Sequence, residues 1–116
     1  MKRSYIKRIS RKKARQLEEE RALKNQLLLY SGSKCELPHC NNPAAHKHEI
    51  IERSSCGDPT DPFNCILLCL SCHSIQHRTK EGRRYTDEEL FRHIIPRRIA
   101  QGFQNTREHD NWMGEG

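Results

Sequence analysis

The chain has 116 residues, of which 34% are hydrophobic and 31% charged, so it can form one domain with tails but buries only a small core. No apolar run approaches the roughly 18 residues that cross a bilayer, and the first residues lack the apolar segment of a secretory signal. These features argue against a membrane protein and predict a cytosolic one, while the net charge of +6 favours polyanionic partners.

Positive charge is concentrated at the start of the sequence. Residues 1–15 carry eight lysines or arginines and no acid, whereas the rest of the chain has 13 basic and 15 acidic residues. Such an arm attracts polyanions because binding releases their condensed counterions, which predicts contact with nucleic acid. A solvated solubility tail is the alternative. Residues 1–10 are predicted to be a disordered basic arm.

A helix is predicted over residues 11–31. Ser10 is placed to cap its start and Gly32 to end it. The apolar stripe widens in the later turns, so we expect these to pack on the following module while the first turns project into solvent. Glu20 and Lys24 are spaced to form an ion pair along the helix.

Residues 32–80 are predicted to form the central module. Its first strand, over residues 45–51, places His46 and His48 on one face and Lys47 and Glu49 on the other. Further along come a loop over residues 53–62, a second apolar segment over 63–68 and a short helix from Ser71 or Cys72 to about His77.

Residues 81–103 are predicted to form a C-terminal helical segment. Thr86 and Glu89 have the spacing of a capping box that starts a helix. Pro96 is expected to interrupt that helix, because proline lacks the N–H that an interior position requires. Residues 104–116 are predicted to be a ragged tail.

Two short cysteine pairs give the strongest signal in the sequence. Four residues separate Cys35 from Cys40, and two separate Cys69 from Cys72. Thiolates at the ends of two tight turns converge on one ion at about 2.3 Å, so these four cysteines are predicted to bind a structural zinc ion. Bound metal also suits a small core, and a cytosolic location disfavours disulfides.

A second set of ligands surrounds this zinc site. His73 and His77 are four residues apart on a short helix and point from one face, and His48 on the neighbouring strand supplies a third imidazole. Three protein ligands with open positions are typical of a catalytic metal site. Imidazoles favour Zn²⁺ or Ni²⁺, whereas a carboxylate shell favours Mg²⁺ or Mn²⁺, and the sequence leaves this choice open.

These residues resemble the HNH endonucleases, in the zinc-stapled form common among phage and bacterial proteins. The resemblance covers roughly residues 7–78 and is most specific through the second half of the motif. It implies an α+β fold of the ββα-metal type (the His-Me finger), here flanked by an N-terminal basic helix and C-terminal helices. The matching residues are His48, Glu49, Ile50, Ile51, Arg53, Ser54, Gly57, Asp61, Asn64, Cys69, Cys72, His73 and His77, with Cys35 and Cys40 as the first zinc clip.

The resemblance also implies roles for the site residues. His48 binds the catalytic metal, and His73 and, in some members, His77 complete its shell. Asn64 holds the loop and orients the general base, or approaches the metal in some members. The implied reaction is a one-metal hydrolysis of DNA phosphodiester bonds that leaves 5′-phosphate and 3′-hydroxyl ends.

Glu49 is a departure from the family, which usually has a histidine base at that position. Either Glu49 is the base, with a pKa raised by burial, or Glu49 binds the metal and His48 is the base. Two further readings are that His46 takes part and that strong catalysis has been lost.

The expected partner is DNA, contacted mostly through its phosphates. No recognition helix is evident, so low sequence specificity is expected. Two alternatives remain, a catalytically weak or inactive zinc module that binds nucleic acid and an adaptor that binds protein. The residues expected to contact DNA are Lys7, Arg8, Arg11, Lys12, Lys13, Arg53, Arg78, Arg83 and Arg84.

The resemblance bears on biological context as well. Phage members of the family often sit beside packaging machinery, which makes packaging proteins candidate partners. A phage-encoded chain would act in the host cytoplasm. The sequence does not determine the oligomeric state.

Overall fold

The computed structural model describes residues 10–104, which form an α+β fold with one two-stranded antiparallel sheet and three helices. In this range no helix is long and apolar enough to cross a membrane. The predicted arm, with Lys7 and Arg8, and the predicted tail after Gln104 lie outside the described residues. In chain order the elements are α1 (Arg11–Ser31), β1 (His46–Glu49), β2 (Cys65–Leu68), α2 (Leu70–Gln76) and α3 (Asp87–Ala100).

α1 occupies the range predicted for the N-terminal helix. The Ser10 side chain accepts a hydrogen bond from the first turn, and Gly32 adopts a left-handed φ of 68° at the other end, so both predicted caps are confirmed. Leu23 and Leu27 are buried against β2, whereas residues 11–15 are exposed. The later turns therefore anchor the helix and the first turns face solvent, as the apolar stripe predicted.

The ion pair predicted between Glu20 and Lys24 does not form. Glu20 pairs instead with Arg53 at 2.7 Å, and Lys24 Nζ donates to the carbonyl oxygen of Ala45 at 3.3 Å. A pair along a helix contributes only about 0.2–0.5 kcal/mol, so contacts to other elements readily replace it. The two contacts tie α1 to the two ends of β1.

The sheet separates two kinds of surface. β1 pairs with β2 along its whole length, from His46 to Glu49, and successive side chains point to opposite faces. α2 covers the face that carries His46 and His48. α1 packs on the other face, which carries Lys47 and Glu49. The alternation predicted for this strand is confirmed.

β1 is shorter than the predicted strand because Asn64 takes over its hydrogen bonds. The Asn64 carbonyl accepts from the Ile50 N–H at 2.8 Å, and its side-chain oxygen accepts from the Ile51 N–H at 2.8 Å. Its side-chain nitrogen donates to the carbonyls of Ile51 and Asp58. Asn64 is buried, so these bonds are shielded from water and hold the loop that follows β1.

α3 continues through Pro96, so the predicted interruption is wrong. The proline costs the helix roughly 3 kcal/mol relative to alanine. Ile94 and Ile95 before it and Arg98 after it are fully buried, and this packing holds both flanking turns in place. The predicted capping box at Thr86 is confirmed.

Gly57 is expected to tolerate no side chain. A Cβ built on it would lie 1.7 Å from the carbonyl oxygen of Ile51, a backbone atom that cannot move away cheaply. We expect Gly57→Ala to lower the free energy of unfolding by more than Gly32→Ala does. A Cβ on Gly32 would meet no atom within 4 Å, so that variant carries only the roughly 1–2 kcal/mol penalty of a left-handed φ. Urea denaturation of the two variants measures both values, and equal losses would contradict the clash.

Candidate metal centres

The four predicted zinc ligands come together in one cluster. The sulfur atoms of Cys35, Cys40, Cys69 and Cys72 all lie within 4.8 Å of one another. Cys40 Sγ is 3.9 Å from Cys69 Sγ and 3.8 Å from Cys72 Sγ. Four sulfurs at about 2.3 Å from one tetrahedral ion are separated by about 3.8 Å, so the cluster fits zinc without rearrangement.

Local backbone structure places each cysteine pair. Cys35 N–H donates to the Asn42 carbonyl and Cys40 N–H to the Leu37 carbonyl, which closes the first turn. Cys69 is the N-cap of α2, and its sulfur accepts from the Cys72 N–H at 3.3 Å. The second pair is therefore the first turn of the helix that also carries His73.

The pKa values of three of the thiols, Cys35, Cys69 and Cys72, are shifted by burial and by their neighbours. Burial raises the pKa of the Cys69 thiol, but hydrogen bonds from the Cys72 N–H and neighbouring groups outweigh burial and lower it to about 7. Burial and the adjacent thiols raise the pKa values of Cys35 and Cys72. One thiolate therefore forms readily, and a cation is needed to stabilise the others.

His48, His73 and His77 form a second cluster beside the cysteines. Their ligand nitrogens all lie within 4.8 Å of one another, and the Nε2 atoms of His73 and His77 are 3.0 Å apart. Two nitrogens bound to one ion at about 2.1 Å are separated by about 3.0–3.4 Å, so the spacing fits shared coordination. His77 is exposed at the mouth of the cluster. The sequence-predicted metal ligands are therefore brought together.

Two of these imidazoles are held in the form that binds metals. Burial, and then repulsion from the neighbouring histidines, lowers the pKa of His48 to about 4 and that of His73 to about 4. Both rings are neutral at pH 7, with a nitrogen lone pair available. His46 stacks on His73 with ring centroids 4.5 Å apart but is not one of the three clustered ligands.

Glu49 does not join the histidine cluster. Its carboxylate accepts from Arg53 at 2.9 and 3.1 Å and lies 3.7 Å from Lys47 Nζ, on the α1 side of the sheet. Burial raises the Glu49 pKa, but the hydrogen bond from Arg53 and the charges of Lys47 and Arg53 outweigh burial and lower it. A lowered pKa makes the carboxylate a weaker base, and its role in catalysis stays a prediction.

The basic residues predicted to contact DNA fall into two groups. Arg53 pairs with Glu20 and Glu49, and Arg83 pairs with Glu89 at 2.8 Å, so both already have counter-charges. The second group is exposed and enters no ion pair within residues 10–104. It consists of Arg78, Arg84 and the basic residues of the first α1 turn, Arg11, Lys12 and Lys13.

Sequence reasoning missed a buried ion pair beside the cysteine cluster. The Glu36 carboxylate accepts from Arg98 at 2.6 and 2.8 Å, and both side chains are fully buried. Glu36 also accepts from Arg97 and from the Leu67 N–H. A signal was present, because Arg98 follows Ile94 and Ile95 at helical spacing, but an arginine there is usually read as solvent-facing.

No protein-family model, curated protein or solved structure matches this chain. The resemblance to HNH endonucleases therefore rests on the motif residues and not on a relative. What the structure itself defines is a small α+β protein whose four clustered cysteines can hold a structural metal ion.

Glu49→Gln tests whether the carboxylate has a structural or a chemical role. Because the carboxylate faces Arg53 and not the histidines, we expect any metal-dependent DNA cleavage to stay within a few-fold of wild type. We expect a stability loss of about 1–2 kcal/mol, because the Glu49 side chain is mostly buried. Initial cleavage rates and urea denaturation measure the two effects. A fall of about 10²-fold or more in rate, at unchanged fold, would make Glu49 the general base.

Proposed function

We propose that the protein is a metal-dependent DNA endonuclease of the HNH type, which hydrolyses phosphodiester bonds to 5′-phosphate and 3′-hydroxyl ends with low sequence specificity. The observation that carries this proposal is the convergence of His48, His73 and His77 on one point, separate from the cysteine cluster. A structural zinc site needs no second set of ligands. Three imidazoles with an exposed side suit a catalytic cation.

The two clusters have different ligand chemistry and would hold different ions. Four thiolates with no open position suit a structural zinc ion, which is held by Cys35, Cys40, Cys69 and Cys72. The three imidazoles suit Zn²⁺ or Ni²⁺ best, while Mg²⁺ or Mn²⁺ would require oxygen ligands from water or phosphate. A cation held by these three histidines would supply positive charge to the phosphate and to the leaving 3′ oxygen.

The surrounding residues orient the histidines and the substrate. Asn64 fixes the loop after β1 through its bonds to Ile51 and Asp58, which keeps His48 at a defined position at the strand end. His46 lies on the same face of β1, with its ring against His73, and is placed to orient the attacking water. Glu49 faces away from the histidines. This arrangement best supports the reading in which His46 takes part in catalysis.

The second candidate is a zinc module that binds nucleic acid without cleaving it. The observation that favours it is the capture of Glu49 by Arg53 and Lys47, since the family's usual base position then serves structure. This candidate keeps the cysteine site and the basic surfaces but needs no second cation.

A plasmid-cleavage assay distinguishes the two candidates. The protein is stripped of metal, reloaded with one equivalent of zinc and incubated with supercoiled plasmid. Mg²⁺, Mn²⁺, Ni²⁺ or further Zn²⁺ is added singly. Nicking or linearisation with one of them, with products that a ligase can reseal, supports the endonuclease and identifies its cation. No cleavage with any cation, together with salt-sensitive DNA binding, would leave the non-catalytic module.

A further inference from the structure

Contacts along β1 fix the direction of the two helices that flank the sheet. Lys24 of α1 contacts Ala45, just before β1, and the earlier Glu20 contacts Arg53, just after β1. α1 therefore runs antiparallel to β1. On the other face, His73 contacts His46 and His77 contacts His48, so α2 runs parallel to β1. The start of α1 and the end of α2 therefore extend past the same end of the sheet, on opposite faces.

Both of these ends carry an excess of basic residues. The α1 end, defined here as Arg11, Lys12, Lys13 and Arg15, is exposed. The loop after α2 carries Arg78, Lys80 and Arg84, which are also exposed, and it begins directly after His77 of the histidine cluster. None of these seven cations belongs to an ion pair in the part of the chain that the structure describes.

Elsewhere the positive charge is largely compensated. Arg83 of the loop after α2 pairs with Glu89, and four arginines elsewhere also pair with a glutamate, namely Arg53, Arg92, Arg97 and Arg98. Apart from Arg21, Lys24 and Lys34, the unpaired basic residues of the described chain lie at one end of the molecule, next to the exposed side of the three histidines. Clustered cations of this kind raise the local concentration of a polyanion.

A cleft leads from the α1 end toward the body of the protein. It has a volume of about 620 Å³ and lies between Lys12, Arg15 and Gln16 on α1 and the loop over residues 56–60. Its two acids are Glu19 and Asp58, and the Asp58 carboxylate already accepts from the Thr60 N–H and hydroxyl. Lys12 and Arg15 match these two acids within the cleft, and Arg11 and Lys13 add positive charge at the α1 end beyond it.

We infer that a single DNA duplex binds at this end of the molecule, with the α1 end and the loop after α2 on either side of it. The inference rests on the proposed function, which identifies the polyanion as DNA. Two basic surfaces on opposite faces of the sheet contact phosphates on both strands of a duplex. Residues 11–20 and 77–84 contain no Phe, Tyr or Trp on which unpaired bases would stack.

The Lys12→Gln, Arg15→Gln double variant tests this placement. Glutamine keeps helix propensity, and neither residue touches the histidines, so the fold is expected to stay unchanged. The matched control is Lys34→Gln, Arg92→Gln, which removes the same formal charge from exposed positions outside both basic surfaces. Circular dichroism checks the fold of each variant.

Binding of a fluorescent duplex of about 20 base pairs is measured by anisotropy over a series of salt concentrations, without a divalent cation. The slope of log affinity against log salt is expected to fall by about two for the double variant, since each lost phosphate contact contributes about 0.9, and to stay constant for the control. Any of three results would overturn the inference. These are unchanged affinity and slope in the double variant, an equal loss of affinity in the control, and tighter binding to a single strand of equal length.

The two proposals fail in different ways. If no cation supports cleavage but the double variant weakens duplex binding, the duplex surface stands and the endonuclease does not. If plasmid is cleaved but the double variant binds and cleaves with an unchanged KM, the endonuclease stands and the duplex surface does not.

Discussion

Replacing His73 by alanine is expected to abolish the proposed metal-dependent DNA cleavage, while the fold and metal binding by the cysteine cluster persist. His73 is central to the histidine cluster, because its Nε2 lies 3.0 Å from that of His77 and its ring contacts both His46 and His48. Losing a direct ligand should reduce catalytic-cation affinity by more than the roughly 10- to 100-fold typical of losing an outer partner. The cleavage rate should fall at least as far.

Ser74→Ala is the matched control for this variant, because Ser74 neighbours His73 on α2 and its described hydrogen bond uses the backbone carbonyl. Metal content by atomic emission should fall from two ions per chain to one in His73→Ala and stay at two in the control. Cleavage by His73→Ala at a wild-type rate would show that the histidine cluster is not the active site. A loss of both ions would show instead that the variant had disturbed the cysteine cluster.

Glu36→Gln is expected to cause a much larger loss of stability than the removal of an exposed charge. The substitution leaves the fully buried Arg98 guanidinium without its carboxylate. Breaking a buried pair from one side costs about 3–5 kcal/mol, a large fraction of the stability of a small domain. Because Glu36 follows Cys35 of the cysteine cluster and its carbonyl contacts His93, the loss should also weaken retention of a metal ion in that cluster.

Glu88→Gln is the matched control for Glu36→Gln, because Glu88 pairs with Arg92 at 2.6 Å on the exposed side of α3. It should cost less than about 1 kcal/mol in urea denaturation. The double variant Glu36→Leu, Arg98→Met should recover much of the loss, because it removes both charges from the interior. Equal losses in the free energy of unfolding for Glu36→Gln and Glu88→Gln would show that the buried pair stabilises the fold no more than the exposed one does.

The same pair predicts how stability depends on pH. Burial raises the Glu36 pKa, but hydrogen bonds and charge from Arg98, with the Leu67 N–H and Arg97, outweigh burial and lower it below 4.5. A carboxyl whose pKa is lower in the folded state contributes stability that is present above its unfolded pKa and is lost as the pH falls through the folded value. Wild-type stability should therefore fall below about pH 4.5, and Glu36→Gln should lack that contribution.

Local patterns in the sequence were sufficient for much of the fold. Capping chemistry at Ser10 and Thr86 and the αL preference of Gly32 depend on near neighbours alone, so the ends of α1 and the start of α3 follow from the sequence. Alternation along β1 likewise determined that His46 and His48 share a face. The spacing within each cysteine pair fixed two tight turns, and their convergence in one cluster agrees with the zinc prediction.

Tertiary structure alone decided which side chains meet across the chain. Arg53 was expected to contact phosphate, but the fold brings Glu20 from 33 residues away to join Glu49 around it. The environment of Glu49 follows from that meeting, because the pKa of a carboxyl depends on the charges beside it. Pro96 and Arg98 also depend on tertiary contacts. The burial of the residues that flank Pro96 outweighs the proline's helix penalty, and the Glu36 carboxylate compensates the buried charge of Arg98. Local propensities act over a few residues, whereas burial and charge pairing depend on contacts between distant segments, and these became visible only in the folded chain.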